Sequence, residues 1–460
     1  MTCVRRAHPQ LIEVLGAAPI LLSIALLPIG RTVEISTALS ALLGLGVLLH
    51  PRFRAQLPLA TVKHYTRVFL CFWLPIATSL SQAFKPELTA IAALEYLRFY
   101  FAGLWPLYWL RCPQRREQLW PIICLILMLW LLDSLWQWRH GVDLLGRTYN
   151  GVRLTGPFKD YKLPIVLILL LPMCLSWLYH KTHHWLLGSF TLMALLVIAL
   201  SGQRAVWLDA CIALIVLGIL CRRKLRTMHV LGILLAVTLT LSGLYQISSG
   251  FKQRVDRTAL ALHFDYQAIN TASAYRLPIW ATGLNMVANH PLTGVGTKNF
   301  RHAYVDYALP NDPFVQEASP NAISVHHPHA FLLEIAAETG LIGLLGYCLA
   351  SLLLIRQLKK CVATPYFLAT VTTLTMALLP INMHTAFYGS FYSQLLWWLI
   401  AVLLTHLPST TILHGNAPLT ANGSKPSFAS VTETDQGQHQ RHFDQDADHG
   451  RQRRSGRQAE

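Results

Sequence analysis

Charge is what this sequence has least of. Of its 460 residues, 13% are Asp, Glu, Lys or Arg, where an ordinary soluble domain carries about 25%. A soluble fold would have too little polar surface to cover the 53% that is hydrophobic. Several catalytic signatures are also missing. There is no Cys-x-x-Cys, Gly-x-Ser-x-Gly, Gly-x4-Gly-Lys-Ser/Thr or His-Glu-x-x-His, so a thiol catalyst, a serine hydrolase, a P-loop motor and a zincin lack motif support. None of the 9 cysteines lies in the two longest polar connections, and no disulfide is implied there. Repeats and heptads are absent.

What is present is long apolar runs, several of them close to the ~18–20 residues needed to cross ~30 Å of hydrocarbon. They predict about twelve transmembrane helices, near 11–29, 33–50, 66–83, 90–110, 118–137, 163–179, 185–201, 205–221, 229–247, 330–355, 364–382 and 390–406. The fold class expected is an all-α polytopic membrane protein. The formal net charge of +16 would suggest nucleic acid in a soluble chain. Here it points to topogenic Lys and Arg and to an anionic ligand or lipid surface, with no nucleic acid.

The short connections alternate. One set holds Arg5, Arg6, Arg52, Arg54, Lys63, Arg67, Arg111, Arg115, Arg116, Lys181, Arg222, Arg223, Lys224, Arg226, Arg356, Lys359 and Lys360, whereas the other holds little beyond Arg31, Lys85 and Arg204. By the positive-inside rule the first set is cytoplasmic, with both termini inside. Two outward connections, 138–162 and 248–329, break the low-charge pattern, and long translocated loops are exempt from it. The chain thus divides into nine helices over 1–247, a partly helical outward loop domain over 248–329, three helices over 330–406, and a polar tail over 407–460 expected to be disordered.

Candidate chemistry gathers outward. Ser324-Val-His326-His327-Pro328-His329 precedes an apolar helix that carries Glu334 and Glu338 on one face. His326-x-x-His329 without Cys or Asp at ligand spacing is a weak zinc signal. These histidines read either as solvated loop residues or as containing a general base, for which an ordinary pKa of ~6.5 is suited. Glu334 would orient a histidine, bind a hydroxyl or face a wet cavity. Arg204, in Ser201-Gly-Gln-Arg204, and Arg276, in Ala274-Tyr-Arg276-Leu-Pro-Ile-Trp280, are either interfacial anchors or forks for phosphate oxygens. In the membrane itself, Glu95 and Arg98 stand at i, i+3 and are expected to pair, and Asp133 and Asp209 are further intramembrane charges.

Over 138–400, and most strongly over 273–345, the chain resembles the O-antigen ligase and O-antigen polymerase superfamily of bacterial envelope enzymes. The pieces that carry the resemblance are Arg153-Leu-Thr-Gly156-Pro-Phe158, Ser201-Gly-Gln-Arg204, Arg276 with Trp280, His290-Pro-Leu-Thr-Gly294-Val-Gly296-Thr-Lys-Asn-Phe300, and His329 with Gly340 and Gly343. Ala330 stands where that signature has a polar residue. The resemblance implies a metal-independent, cofactor-free glycosyltransferase of lipopolysaccharide biosynthesis in the bacterial inner membrane, with its long loop and active site periplasmic. Its donor would be an O-antigen glycan on undecaprenyl diphosphate and its acceptor a sugar hydroxyl of lipid A–core. By the same carry-over His329 would be the base, and Arg204 and Arg276 would hold the diphosphate. Arg153 and Lys159 are further candidates for the anionic headgroup or for lipid A phosphates, and His326 and Glu334 complete the candidate set. An O-antigen polymerase and a protein O-oligosaccharyltransferase are the rivals within the superfamily. A transporter or flippase of an anionic lipid is the rival of a different class; it predicts an internal symmetry between halves that the unequal loops lack.

Overall fold

The computed structural model describes residues 9–221, 227–316, 325–359, 366–379 and 385–406. The polar tail expected from 407 and the basic cluster at 222–226 lie outside the described residues. Among the described residues the chain is all-helical. Five helices open it: α1 (Pro9–Ala25), α2 (Val33–Leu49), the short α3 (Pro51–Arg54), α4 (Leu59–Thr78) and α5 (Pro86–Trp109). After them come α6 (Pro113–His140), α7 (Leu163–Lys181), α8 (His184–Leu200), α9 (Arg204–Cys221) and α10 (Thr227–Ile247). A run of shorter helices follows, α11 (Ser249–Ala259), α12 (Tyr266–Ala272), α13 (Arg276–Asn289), α14 (Phe300–Tyr307) and α15 (Pro313–Gln316), before α16 (Phe331–Lys359), α17 (Phe367–Ala377) and α18 (Ser390–Thr405).

A helix stands at each of the twelve apolar runs. Among the described residues four segments are long and apolar enough by themselves to cross a membrane: Leu27–Leu49, Pro113–His140, Leu163–Lys181 and Phe331–Lys359. Shorter apolar helices, such as Trp185–Leu200 and Ser390–Thr405, accompany them. Proline starts α5, α6 and α7 at their first or second position, where its missing N–H costs nothing.

The polarity of α2 is reversed relative to a helix in water. It buries Ser36, Thr37, Ser40 and Gly44 while Ile35, Leu42 and Leu49 stay more than 65% exposed. Such a helix is stable only with an apolar solvent on its outer face and small residues at its packed face. Gly44 lets the Phe101 carbonyl of α5 approach to a distance that any Cβ would forbid, and Gly346 does the same for the Cys71 carbonyl of α4. The chain is a multi-pass membrane protein. At the centre of its bundle, Trp397 lies among Tyr65, Phe69, Phe72 and Tyr96 and donates to the Tyr96 hydroxyl at 3.0 Å.

The intramembrane charges pair differently from the expectation. Arg98 does not meet Glu95, one turn before it; its guanidinium reaches Glu34 of α2 at 3.1 Å and the Ser390 hydroxyl of α18 at 3.0 Å. Glu95 is exposed. Asp133 is buried and accepts the Leu144 N–H at 2.8 Å, fastening the connection after α6.

The 249–316 helices have a small core of their own, Ile279, Met286, Val295, Phe300 and Tyr304, closed against α16 by Ala337. The join is a break in α16 at Gly340 (φ 64°, ψ −159°). The loop Pro291–Gly296 fills this break. Leu341 and Ile342 donate to Pro291 and Leu292, while Val295 and Gly296 donate to Ala337 and Glu338. Gly294 and Gly340 are both needed, because a Cβ on either would meet the other strand's backbone within 2.6 Å. Gly340 therefore breaks a helix to receive a loop. Both Glu338 oxygens serve the same join, accepting the N–H groups of Lys298 and Phe300 at 3.0 and 3.2 Å.

Candidate active site

Arg153 is delivered by a loop pressed onto the end of α6. Gln137 accepts the N–H groups of Thr155 and Gly156 and donates to the Arg147 carbonyl. Gly156 (φ 53°) sits so close to the Ser134 hydroxyl that a side chain there would collide. The Asn150 carboxamide accepts the N–H groups of Val152 and Arg153 at 3.0 and 2.9 Å, a turn that sets the backbone of Arg153. Its guanidinium lies over the Tyr161 ring, 4.6 Å from the centroid.

Arg204 begins α9 two residues after Gly202 (φ 64°) and donates to the Thr258 hydroxyl at 3.2 Å. Gln203 donates to the Tyr161 carbonyl. Arg276 begins α13 after two consecutive non-glycine residues in the left-handed region, Ala274 (φ 64°) and Tyr275 (φ 61°). His329 (φ 56°) is a third. Such residues cost about 1–3 kcal/mol each and collect where function fixes a geometry. One turn into α13, the Trp280 indole donates to the Pro328 carbonyl at 3.0 Å. That bond ties the arginine-bearing helix to the peptide between His327 and His329, whose rings lie 4.0 Å apart.

These elements enclose a cavity of about 570 Å³ lined by Arg153, Arg204, Arg254, Arg276, His327 and His329, with Lys162, Asp160, Gln203 and Tyr161 alongside. Its remaining wall includes Ser390, Phe391 and Tyr392. The first turns of α7, α9, α13 and α18 all reach it. A helix start carries partial positive charge and unpaired N–H groups, so these termini add to the field of the five cationic side chains. Among the described residues Asp160 is the single carboxylate of the lining, and Lys162 pairs with it at 3.0 Å.

The electrostatics follow from this crowding. Burial, then Arg153, Arg204 and Arg257, holds the Arg254 guanidinium down at about 10. Burial and Arg153 lower Arg276 as well. Burial, with His327, Arg276 and His326, holds His329 at about 3, and burial with His326, Arg276 and Lys298 holds His327 at about 4. Both imidazoles are neutral near pH 7, with a lone pair to offer, in a cavity whose fixed charge is positive. Such a cavity is suited to anions. A bound anion reverses the local field and raises both histidines toward their ordinary range.

His329, Arg204, Arg276 and Arg153 of the sequence candidates therefore meet. Three others do not join them. Lys159 is exposed and outside the lining, and Lys162, three residues on, takes the position. His326 is exposed and outside the lining. Glu334 neither orients a histidine nor faces the cavity: its carboxylate is buried and accepts the Tyr388 N–H at 3.2 Å. Sequence reasoning counted His327 within the histidine cluster and Arg254 among the outward basic residues, and singled out neither. The signal for His327 was its place two residues before His329 in one short segment. Nothing set Arg254 apart from its basic neighbours, since α11 is amphipathic in the manner of any surface helix. Among the described residues no three His, Cys, Asp or Glu side chains stand together as a metal cluster.

Residues 189–348 match the model of the family described as O-antigen ligase. The matched segment contains Arg204, Arg254, Arg276, His327, His329 and the clasp at Gly340; Arg153 and the α18 wall lie outside it. No curated protein matches the chain.

Proposed function

We propose that the protein is an O-antigen ligase, on the premise that residues 189–348 match the O-antigen ligase family. In this reading it transfers a glycan from undecaprenyl diphosphate to a sugar hydroxyl of lipid A–core, at the periplasmic face of the bacterial inner membrane. The observation that carries the reading is the meeting of a neutral histidine and several arginines around one cavity with almost no opposing carboxylate. Every lining residue comes from the connections that the charge map assigns to the outward side, or from the helix ends beside them.

The chemistry is a displacement at the anomeric carbon. The acceptor hydroxyl oxygen attacks that carbon and forms the new glycosidic bond. Its proton passes to His329, the C–O bond to the diphosphate breaks, and the electron pair leaves on the diphosphate oxygen. Arg204 and Arg276 hold the diphosphate and face the charge that grows on it. The donor's own charge raises the basicity of His329 on binding, so the base gains strength when there is a proton to take. His327 packs against His329 and Trp280 fixes the backbone between them, which makes both positioning residues.

The test is transfer by purified protein with chelator present, using undecaprenyl-diphosphate-linked O-antigen as donor, with lipid A–core and with donor alone. A product on lipid A–core that is lost in His329→Ala supports the ligase. Longer glycans still on polyprenyl diphosphate would instead make it a polymerase. Loss of donor flipping rather than of transfer would make it a transporter.

A further inference from the structure

Beside the main cavity lies a second chamber of about 320 Å³, lined by Arg153, Arg254 and Arg257 with Asn150, Gln253 and Tyr161. Arg153, Arg254 and Tyr161 belong to both spaces, so the two chambers are contiguous. Among the described residues the second is lined by no carboxylate. Among the described residues the ion pairs are Arg98–Glu34, Arg147–Asp143, Lys162–Asp160 and Lys181–Glu117, none of which involves Arg153, Arg254 or Arg257. Asp256, next to Arg257 in sequence, is turned to the Tyr245 hydroxyl at 2.7 Å. The Nε atoms of Arg153 and Arg254 are buried with no partner among the described residues.

A diphosphate linked at both ends has one ionised oxygen on each phosphorus, and Arg204 and Arg276 answer these one for one. Three further guanidiniums around the adjoining chamber are then a charge without a counterpart. Cations crowded together and partly desolvated are costly to hold, and such a cluster in a cleft marks a site for an anion. We propose that this second chamber is a phosphate subsite for the acceptor, so that the protein selects a glycolipid bearing a phosphomonoester near the hydroxyl that is glycosylated. The inference rests on the function proposed above. Arg257 is its dedicated residue. Its Nε donates to the Thr271 carbonyl at 2.7 Å and its guanidinium lies 5.4 Å from the Tyr275 ring centroid, which holds it in place beside the backbone that delivers Arg276. Arg153 and Arg254, at the boundary, link acceptor recognition to the diphosphate chamber.

The experiment uses the full chain in nanodiscs of zwitterionic lipid. The acceptor is a phosphorylated core glycolipid, compared with the same glycolipid after phosphatase treatment. Two variants are compared with wild type. Arg257→Gln removes the charge. Asn150→Asp keeps the acceptor oxygen that binds the Val152 and Arg153 N–H groups and adds a repelling carboxylate, so it tests the subsite without disturbing the turn. Wild type is expected to favour the phosphorylated acceptor in kcat/KM by about tenfold or more, and both variants to lower that preference by about tenfold, the scale of one charge-assisted hydrogen bond. Equal use of the two acceptors by wild type would overturn the proposal. A rise in donor KM matching the loss of preference would also overturn it, because the arginines would then form one donor site. Phosphate-independent acceptor use, together with binding of an anionic phospholipid that Arg257→Gln abolishes, would assign the subsite to a membrane headgroup instead. Acceptor binding is measured separately without donor. If wild type transfers to neither acceptor yet binds the phosphorylated one selectively, and the variants do not, the subsite stands and the transferase reading falls.

Discussion

The acidic and the basic side chains of this protein live by opposite rules. Glu338 spends both oxygens on backbone N–H groups of the loop that enters α16, Glu334 holds the turn before α18, Asp133 holds the turn after α6, and Asp312 accepts from Tyr304 and Thr282 at 2.9 and 3.2 Å. These carboxylates are scaffold. Arg153, Arg254 and Arg276 instead border an open cavity beside a single acid, which Lys162 already engages. In a chain with little charge, buried acids fix the walls and basic groups are kept for what enters between them. The difference separates the residues that make the site from those that hold its shape.

His329→Ala should break the site and spare the scaffold. Initial transfer rate is expected to fall about 10²–10⁴-fold, with thermal stability and donor affinity near wild type. Glu338→Ala should do the reverse. It strands the buried Phe300 N–H, at about 1–3 kcal/mol, and the part-buried Lys298 N–H at less, so the unfolding midpoint in detergent should drop while the folded fraction keeps its KM for donor. Trp280→Phe lies between the two classes. Losing one hydrogen bond to Pro328, worth about 0.5–1.5 kcal/mol, should lower kcat a few-fold with donor KM little changed, because the histidines lose their fixed backbone while the arginines keep theirs.

The smallest expected effect is in pH. Burial, with His327, Arg276 and His326 nearby, holds the His329 pKa near 3. The acid limb of kcat/KM for donor, which reports the free enzyme, should therefore fall well below the ordinary ~6.5, while bound diphosphate moves the limb of kcat upward. The same depression acts on stability. Between the ordinary ~6.5 and the folded values, the unfolded chain binds more protons, so stability should decline as pH drops through that window. Unfolding midpoints at several pH values check the sign, and coincident limbs for kcat and kcat/KM would remove the coupling between anion and base.

Much of this was legible in the sequence, for reasons that also mark the boundary. Apolar runs and proline starts announce helices, because both act locally. Arg204, Arg276 and His329 were legible through their motifs. The pairing of Arg98 was not: its partners, Glu34 and Ser390, come from helices distant in sequence, and spacing within one helix pointed to Glu95. Lys159 was preferred to Lys162 because an irregular loop has no period to say which side faces in. Glu334 read as functional because an acid in an apolar helix is conspicuous, yet its partner is a backbone N–H 54 residues on, which side-chain patterns do not reveal. Arg254 and Arg257 belong to a surface-like helix whose meaning depends on the cavity it covers.

The broken helix at Gly340 has a consequence for biogenesis. The carbonyls and N–H groups released there would each cost several kcal/mol if left unpaired in hydrocarbon, and the segment that satisfies them, Pro291–Gly296, is synthesised first. The ribosome thus delivers the plug before the socket. Insertion of α16 and closure of the loop over it become one event, and the histidine at its head is drawn into place by the same stroke.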